Sequence, residues 1–231
     1  MKTFAEKIIS FNKKVSFEGA LPAGIRIMNP FKESREALAV SSEFYRKYYN
    51  DQNKRHLILG INPGRFGAGV TGVPFTDTKR LSGECGIEFP GITTHEPSSA
   101  FVYEVISSYG GPEKFFSRFY IQSICPLGFT ITRPGDREVN YNYYDSRQLT
   151  GCVYDFIISN INKQISFGVS TEVCFLFGTG KNENFFREVN EKYHFFKKVI
   201  PLEHPRYIMQ YKTKSKQFYI DKYVRAFEHL P

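Results

Sequence analysis

Residues 57–75 of the chain read LILGINPGRFGAGVTGVPF, a short apolar run that leads into a glycine-rich turn. The apolar run predicts a buried β-strand, and the polar Asn62 stands where this strand ends. Five glycines between positions 60 and 72 allow the backbone to pass close to a flat or charged ligand. Because α/β proteins bind ligands where a strand ends in a polar residue and a loop, this stretch predicts the functional site.

The glycines of this stretch also match the dinucleotide-binding pattern G-x-G-x-x-G between Gly67 and Gly72. In that kind of site the first glycine directly follows the strand and the last opens a helix. Here the strand ends near Ile61, and Pro74 would break the helix within its first turn. A phosphate-binding P-loop is excluded because no Gly-Lys-Ser/Thr sequence follows the glycines. A loop that only turns a corner would explain the glycines but not the polar residue at the strand end.

The stretch resembles the first motif of the uracil-DNA glycosylase superfamily, within its single-strand-selective monofunctional (SMUG-like) branch. Two further segments resemble motifs of this branch and occur in the expected order. Residues 120–127, YIQSICPL, resemble the strand that reads the base, and residues 201–206, PLEHPR, resemble the His-Pro motif near the C-terminus. The three segments lie between positions 57 and 206 and cover most of the chain. The chain is most similar to a divergent, bacterial-type subfamily of the branch.

The resemblance implies a monofunctional DNA glycosylase that hydrolyses the N-glycosidic bond of uracil in DNA and initiates base excision repair. It implies that Asn62 holds the attacking water, and that His204 donates a hydrogen bond to the base oxygen on which negative charge develops. No lysine or N-terminal proline is placed to attack the sugar, so we expect hydrolysis without strand cleavage. The resemblance assigns base binding to four positions, with the phenylalanine as the stacking platform: Ile61, Gly64, Phe75 and Ser123.

Ser123 departs from the pattern of the branch, which commonly has an asparagine at this position. An amide accepts and donates hydrogen bonds at once, whereas a hydroxyl makes a single rotatable contact. We therefore expect weaker discrimination, with room for a larger deaminated base such as xanthine or hypoxanthine. The departure also leaves open a second hypothesis, a non-catalytic nucleic-acid or nucleobase-binding module on the same scaffold.

The formal net charge of +8 is compatible with binding to a polyanion. Basic and aromatic residues alternate just after the His-Pro segment, so we expect DNA contacts from Arg206, Tyr207, Lys212 and Lys214. Residues 206–209 are either a wedge that enters the duplex where the base has left or an ordinary loop that leads into a helix. The expected partner is DNA containing deaminated bases, bound by a monomer.

The four cysteines, at positions 85, 125, 152 and 174, lie far apart and include no C-x-x-C pair. This spacing argues against a zinc site and a disulfide framework, and it differs from the spacing with which other branches bind an iron–sulfur cluster. We therefore expect no metal, no cluster and no other cofactor. No apolar run approaches the ~20 residues that cross a membrane, and the N-terminus has no signal-peptide core. The expected location is the cytoplasm of a bacterial cell.

Apolar runs and amphipathic segments alternate along the chain. Four strands are predicted, at residues 56–61, 119–124, 172–177 and 198–202. Helices are predicted at residues 33–49, 98–109, 144–167, 182–193 and 214–229, and long loops at 83–96 and 128–143. This order predicts one domain over residues 1–231, a three-layer α/β/α sandwich around a central four-stranded parallel sheet. The carboxyl ends of parallel strands meet at one edge, so Asn62, Ser123 and His204 are expected to converge there.

Overall fold

The computed structural model of the chain describes residues 2–230, so the predicted domain of 1–231 has two positions, 1 and 231, outside the described residues. The elements follow one another as α1 (Phe4–Lys14), β1 (Ile25–Met28), α2 (Pro30–Glu33), α3 (Arg35–Tyr49), β2 (Arg55–Gly60), α4 (Ala68–Thr71), α5 (Thr78–Cys85), α6 (Pro97–Tyr109), α7 (Pro112–Arg118), β3 (Phe119–Ser123), β4 (Gly128–Arg133), β5 (Arg137–Tyr141), α8 (Arg147–Ile165), β6 (Val169–Phe177), α9 (Lys181–Tyr193), β7 (Lys198–Leu202), α10 (Pro205–Tyr211) and α11 (Lys216–Glu228). None of these helices has the length and apolar character that a membrane-spanning segment requires.

The predicted four-stranded parallel sheet is confirmed, with the strand order β3-β2-β6-β7. The register places Gly60 of β2 beside Ser123 of β3, and Phe177 of β6 beside Leu202 of β7. The strands therefore end at a common edge, which is the edge that the sequence indicated. Leu57, Ile58 and Leu59 have no exposed surface, because a parallel sheet is covered by helices on both faces.

Two neighbouring residues of β3 show that helices cover both faces of the sheet. The ring of Phe119 packs on Phe227 of α11, with ring centroids 4.8 Å apart. The next residue, Tyr120, points to the opposite face and packs on Phe4 of α1 at 5.3 Å. Tyr49 of α3 also contacts the ring of Tyr120. The sheet thus lies between α1 and α3 on one side and α11 on the other, which confirms the three-layer sandwich.

The prediction of a long loop at residues 128–143 is wrong, because most of this segment forms a β-hairpin. β4 and β5 pair antiparallel around a turn at residues 134–136, in which Gly135 and Asp136 have positive φ angles of 80° and 55°. β1 pairs with the other side of β4, giving a three-stranded antiparallel sheet in the order β1-β4-β5. The alternating residues of the hairpin are typical of strands, but the Pro-Gly-Asp turn gives the segment the composition of a loop.

A strand glycine determines where the ring of Phe75 lies. Phe75 has a φ of 52°, which is a strained value for a residue with a side chain. Its ring packs edge-on against Phe177, with centroids 5.4 Å apart. A Cβ atom at Gly60 would lie only 2.7 Å from the same ring. Gly60 therefore leaves the space that Phe75 occupies.

We predict that Gly60→Ala displaces the ring of Phe75 and lowers the free energy of unfolding by about 1–3 kcal/mol, as overpacking typically does. Urea denaturation measures the change. Gly83→Ala is the matched control, because a Cβ at Gly83 in α5 has no neighbour within 4 Å. The control should raise the free energy of unfolding by roughly 0.5–1 kcal/mol, since alanine favours the helix. Equal effects of both substitutions would contradict the steric explanation.

Candidate functional site

A cavity of about 270 Å³ opens at the carboxyl edge of the parallel sheet. Its size lies near the lower end of the range for ligand pockets, which suits a small flat molecule. Eight of the residues selected from the sequence line it: Ile61, Asn62, Gly64, Phe75, Ser123, His204, Arg206 and Tyr207. The remaining two, Lys212 and Lys214, are exposed beyond the C-terminal end of α10 and do not line the cavity.

The side-chain amide of Asn62 is held by the backbone at the C-terminal end of β5 and just after it. Its Nδ2 donates a hydrogen bond to the carbonyl oxygen of Tyr141 at 3.2 Å. Its Oδ1 accepts a hydrogen bond from the backbone N–H of Tyr143 at 3.1 Å. A backbone carbonyl can only accept and an N–H can only donate, so these two contacts fix which way the amide faces. One lone pair of Oδ1 remains for a further donor.

The ring of His204 is oriented by the helix that it caps. His204 is the N-cap of α10, and its Nδ1 accepts a hydrogen bond from the backbone N–H of Arg206 at 3.1 Å. Burial lowers the pKa of His204 to about 4, and the positive charge of Arg206 contributes to the decrease. The imidazole is therefore neutral at physiological pH. Because Nδ1 is the acceptor, the proton lies on Nε2, which is left as a hydrogen-bond donor.

Phe75 and Ser123 provide an aromatic surface and a hydroxyl in the same cavity. The rings of Phe75 and His204 lie 5.7 Å apart, with an interplanar angle of 46°. Ser123 is the last residue of β3, and its hydroxyl has no hydrogen-bond partner among the residues that the structure describes. The preceding Gln122 is not available to a ligand, because its amide binds the backbone N–H of Ser123 and the hydroxyl of Tyr120.

The acid nearest to the glycine-rich loop in sequence, Asp77, has a structural role. Its buried carboxylate accepts hydrogen bonds from the backbone N–H groups of Arg80 at 2.8 Å and Glu96 at 2.6 Å. The same carboxylate pairs with the guanidinium of Arg80 at 3.3 Å. The acid that lines the cavity is instead Glu96. The sequence analysis missed it because the residues around it belong to no recognised motif.

The rim of the cavity carries cationic and aromatic side chains. Residues 206–209 are part of the helix α10, so the prediction of a loop at this position is wrong. Tyr207 and Tyr211 project from this helix and are 43% and 65% exposed. An adjoining groove of about 520 Å³ is lined by three arginines and an exposed phenylalanine: Arg65, Arg137, Arg206 and Phe66.

The side chains that could ligate a metal ion do not cluster in the described part of the chain. Between residues 2 and 230, no three His, Cys, Asp or Glu side chains are grouped so that they could hold an ion. Cys85, Cys125 and Cys174 are buried, and Cys152 is exposed. Burial raises the pKa of Cys125 to about 12, so this thiol is protonated at physiological pH.

The family model described as the uracil DNA glycosylase superfamily matches residues 46–228. Among solved structures, the crystal structure of wild-type SMUG2 from Pedobacter heparinus is similar to this chain, with 59% sequence identity and a TM-score of 0.97. The similarity covers 99% of this chain and 98% of that chain.

We predict that His204 reduces the stability of the folded protein in mild acid. Its folded-state pKa of about 4 lies below the ordinary value of 6.5. Between these values the unfolded chain binds more protons at this position than the folded chain. The folded state therefore loses stability as the pH falls from about 6.5 to about 4. The free energy of unfolding of the wild type should fall relative to that of His204→Gln over this range.

Urea denaturation at several pH values measures this difference between the two proteins. His56, whose pKa is also lowered by burial, is present in both proteins, so its contribution cancels in the difference. An NMR titration of the His204 ring gives its pKa directly. A value near 6.5 would contradict the lowered pKa of His204 and the loss of stability predicted from it.

Proposed function

Because the chain belongs to the uracil DNA glycosylase superfamily, we propose that it hydrolyses the N-glycosidic bond of uracil in DNA and initiates base excision repair. The enzyme is a DNA glycosylase of the SMUG-like branch. The proposal for this chain is supported mainly by one observation. A single cavity contains an oriented amide, an aromatic ring, a free hydroxyl and a neutral histidine, contributed by Asn62, Phe75, Ser123 and His204.

In the proposed function the cavity receives a uracil that has been rotated out of the base stack. Unstacking costs a few kcal/mol, and stacking on an aromatic side chain returns about 1–3 kcal/mol per base. Phe75 is proposed as this stacking surface. Ser123 would hydrogen-bond the edge of the base, while Ile61 and Gly64 would form the wall beside it.

His204 is proposed to stabilise the leaving base. As the glycosidic bond breaks, the electron pair leaves with the base, and negative charge develops on the base oxygen. The Nε2–H of His204 would donate a hydrogen bond to this oxygen. One such preorganised donor is typically worth about 10²–10³ in rate. The lowered pKa of His204 means that the ring acts as a neutral donor.

Asn62 is proposed to hold the attacking water through the remaining lone pair of Oδ1. An amide has no useful basicity, so it positions the water but does not take its proton. None of the cavity-lining residues in the described chain is a lysine. Since strand cleavage through a Schiff base with the sugar needs an amine, we propose that water is the nucleophile and that the DNA strand is not cleaved.

The DNA is proposed to lie over the rim of the cavity as a complex with one protein molecule. Arg206 and Tyr207 stand at the opening, and Lys212 and Lys214 would contact phosphates further along the same surface. The adjoining groove offers Arg65 and its neighbours to the strand next to the flipped nucleotide. Phosphate contacts of this kind supply affinity that does not depend on sequence.

We further propose that the base range extends to xanthine or hypoxanthine. A single hydroxyl at position 123 makes fewer contacts with the base edge than an amide, and it occupies less space. Deaminated purines are larger than uracil and present a different edge. The unpartnered hydroxyl of Ser123 can rotate to suit either edge, which supports a less selective site.

The proposed function is tested with labelled oligonucleotides that carry one uracil, single- or double-stranded, followed by alkali to reveal abasic sites. We expect product only after alkali. His204→Ala and Asn62→Ala should each reduce the single-turnover rate constant by about 10² or more, because each removes a contact to the transition state. His229→Ala is the control, since His229 is exposed near the end of α11 and lies outside the cavity.

Asn62→Ala also removes two hydrogen bonds to the backbone, so thermal unfolding must confirm that each variant is folded. Wild-type rates in both folded variants would remove the proposed catalytic roles. If the wild type forms no product on any substrate but still binds DNA, the second hypothesis of a non-catalytic module is favoured.

Ser123→Asn should narrow the base range. A bidentate amide contact with a base edge is worth about 1–3 kcal/mol of discrimination, so the ratio of the uracil rate to the xanthine rate should rise roughly tenfold or more. Ser123→Ala is the matched variant, because it removes the hydroxyl without adding an amide. Ser123→Ala should lower the excision rates for all bases without raising the ratio of the uracil rate to the xanthine rate. If Ser123→Asn leaves the ratio unchanged, position 123 does not determine base choice.

A further inference from the structure

Glu96 is an acidic side chain in the cavity for which neither the sequence motifs nor the proposed function gives a role. It lines the main cavity together with Asn62 and His204, and it also lines the adjoining arginine-rich groove. Its carboxylate takes part in no ion pair within the described part of the chain. An acidic group at the junction of two DNA-facing surfaces repels phosphate, so its presence there requires a reason.

The backbone of Glu96 is fixed at both ends of the residue. Its N–H donates a hydrogen bond to the buried carboxylate of Asp77 at 2.6 Å. Its carbonyl oxygen accepts the N–H of Ala100 in the first turn of α6 at 3.1 Å. Glu96 is the N-cap residue of α6, yet its side chain makes no capping hydrogen bond. The carboxylate is therefore directed into the cavity instead of stabilising the helix end.

Two glycines of the motif loop leave the space that this carboxylate fills. A Cβ atom at Gly64 would lie 2.7 Å from Oε1 of Glu96, and one at Gly67 would lie 2.2 Å from Oε2. Gly64 has no positive φ angle, so the close approach of Glu96 is the constraint on this position. Gly67 has a φ of −117° and a ψ of −110°, so its backbone conformation also favours glycine. The motif loop and the carboxylate thus fit each other.

The surroundings of Glu96 raise the pKa of its carboxylate, which suits a group that accepts a proton. Burial raises the pKa of the carboxylate above its ordinary value of 4.5, and the neighbouring Asp77 raises it further. Ser98 and Arg206 act in the opposite direction and favour the ionised form. A carboxylate with a raised pKa is a better base than an ordinary one.

We propose that Glu96 is a catalytic residue that accepts a proton from the attacking water. The inference rests on the proposed glycosylase function. In this step the water oxygen forms a bond to C1′ of the deoxyribose while the bond from C1′ to the base nitrogen breaks. The electron pair leaves with the base, which His204 stabilises, and the water proton passes to the carboxylate and then to solvent. The negative charge of Glu96 also stabilises the positive charge that develops on the sugar.

The test is the single-turnover rate constant of Glu96→Gln on uracil-containing single-stranded DNA, measured between pH 5 and 8. The amide keeps the shape of the side chain but has no basicity. We expect a decrease of about 10² or more at pH 7, in the range for general base catalysis. The wild-type rate should fall at low pH as Glu96 becomes protonated, and this dependence should be absent in the variant. DNA affinity should be unchanged or higher, since a negative charge has been removed.

Two further variants distinguish a catalytic role of Glu96 from an effect of its charge and from an effect on folding. Glu84→Gln makes the same change of charge at an exposed position of α5 and should react at the wild-type rate. Glu96→Ala should be slow, and added formate should restore part of its rate by supplying a carboxylate in the open space. A structural role would show neither the loss of the pH dependence in Glu96→Gln nor the recovery with formate.

The outcomes for Glu96 and for the proposed function are distinguishable. If the wild type excises uracil and Glu96→Gln does so at the same rate with the same pH dependence, the role of Glu96 is overturned and the glycosylase function stands. If the wild type excises no base at all, both are overturned.

Discussion

The cavity at the edge of the parallel sheet depends on one amide side chain, that of Asn62, which joins the two sheets of the molecule. It lies just beyond the parallel strand β2 and binds the backbone of Tyr141, the last residue of the antiparallel strand β5, and of Tyr143. Because both partners are backbone groups, the amide cannot turn over, and the segment after β5 cannot move away without losing two hydrogen bonds. The partly buried side chain of Asn62 thus fixes both the wall of the cavity and its own orientation toward a ligand.

This arrangement explains how one rigid site is assembled from distant segments. The parallel sheet brings Asn62 and Ser123 to one edge through the pairing of β2 with β3. The turn after β7 adds His204, which is oriented by the first N–H groups of α10. Phe75 comes from a strained loop, but it is held by the strand glycine beneath its ring and by Phe177. Sites supported by strands and capped helices hold their geometry better than sites built on free loops.

The sequence predicted the parts of the fold that depend on local patterns. The apolar run of β2 and the glycine-rich motif were identifiable, and parallel strands made the convergence of their ends predictable. The hairpin of β4 and β5 was missed because its Pro-Gly-Asp turn gives the segment the composition of a loop. Its pairing with β1, about a hundred positions earlier in the chain, leaves no local signal either. Glu96 was missed for a related reason. Its direction is set by Asp77, far from it in sequence, and by the absence of side chains at two glycines.

Arg206 affects the pKa values of both groups that are proposed to act in the reaction, His204 and Glu96. Cleavage of a glycosidic bond separates charge, so the base side needs a hydrogen-bond donor and the sugar side needs an anion. The positive charge of Arg206 lowers the pKa of His204, which keeps the imidazole neutral, and it lowers the pKa of Glu96, which favours the carboxylate. Burial acts on the two groups in opposite directions, lowering the pKa of His204 and raising that of Glu96. One exposed cation at the rim therefore favours the neutral histidine and the ionised glutamate together, which is the combination that the proposed chemistry requires.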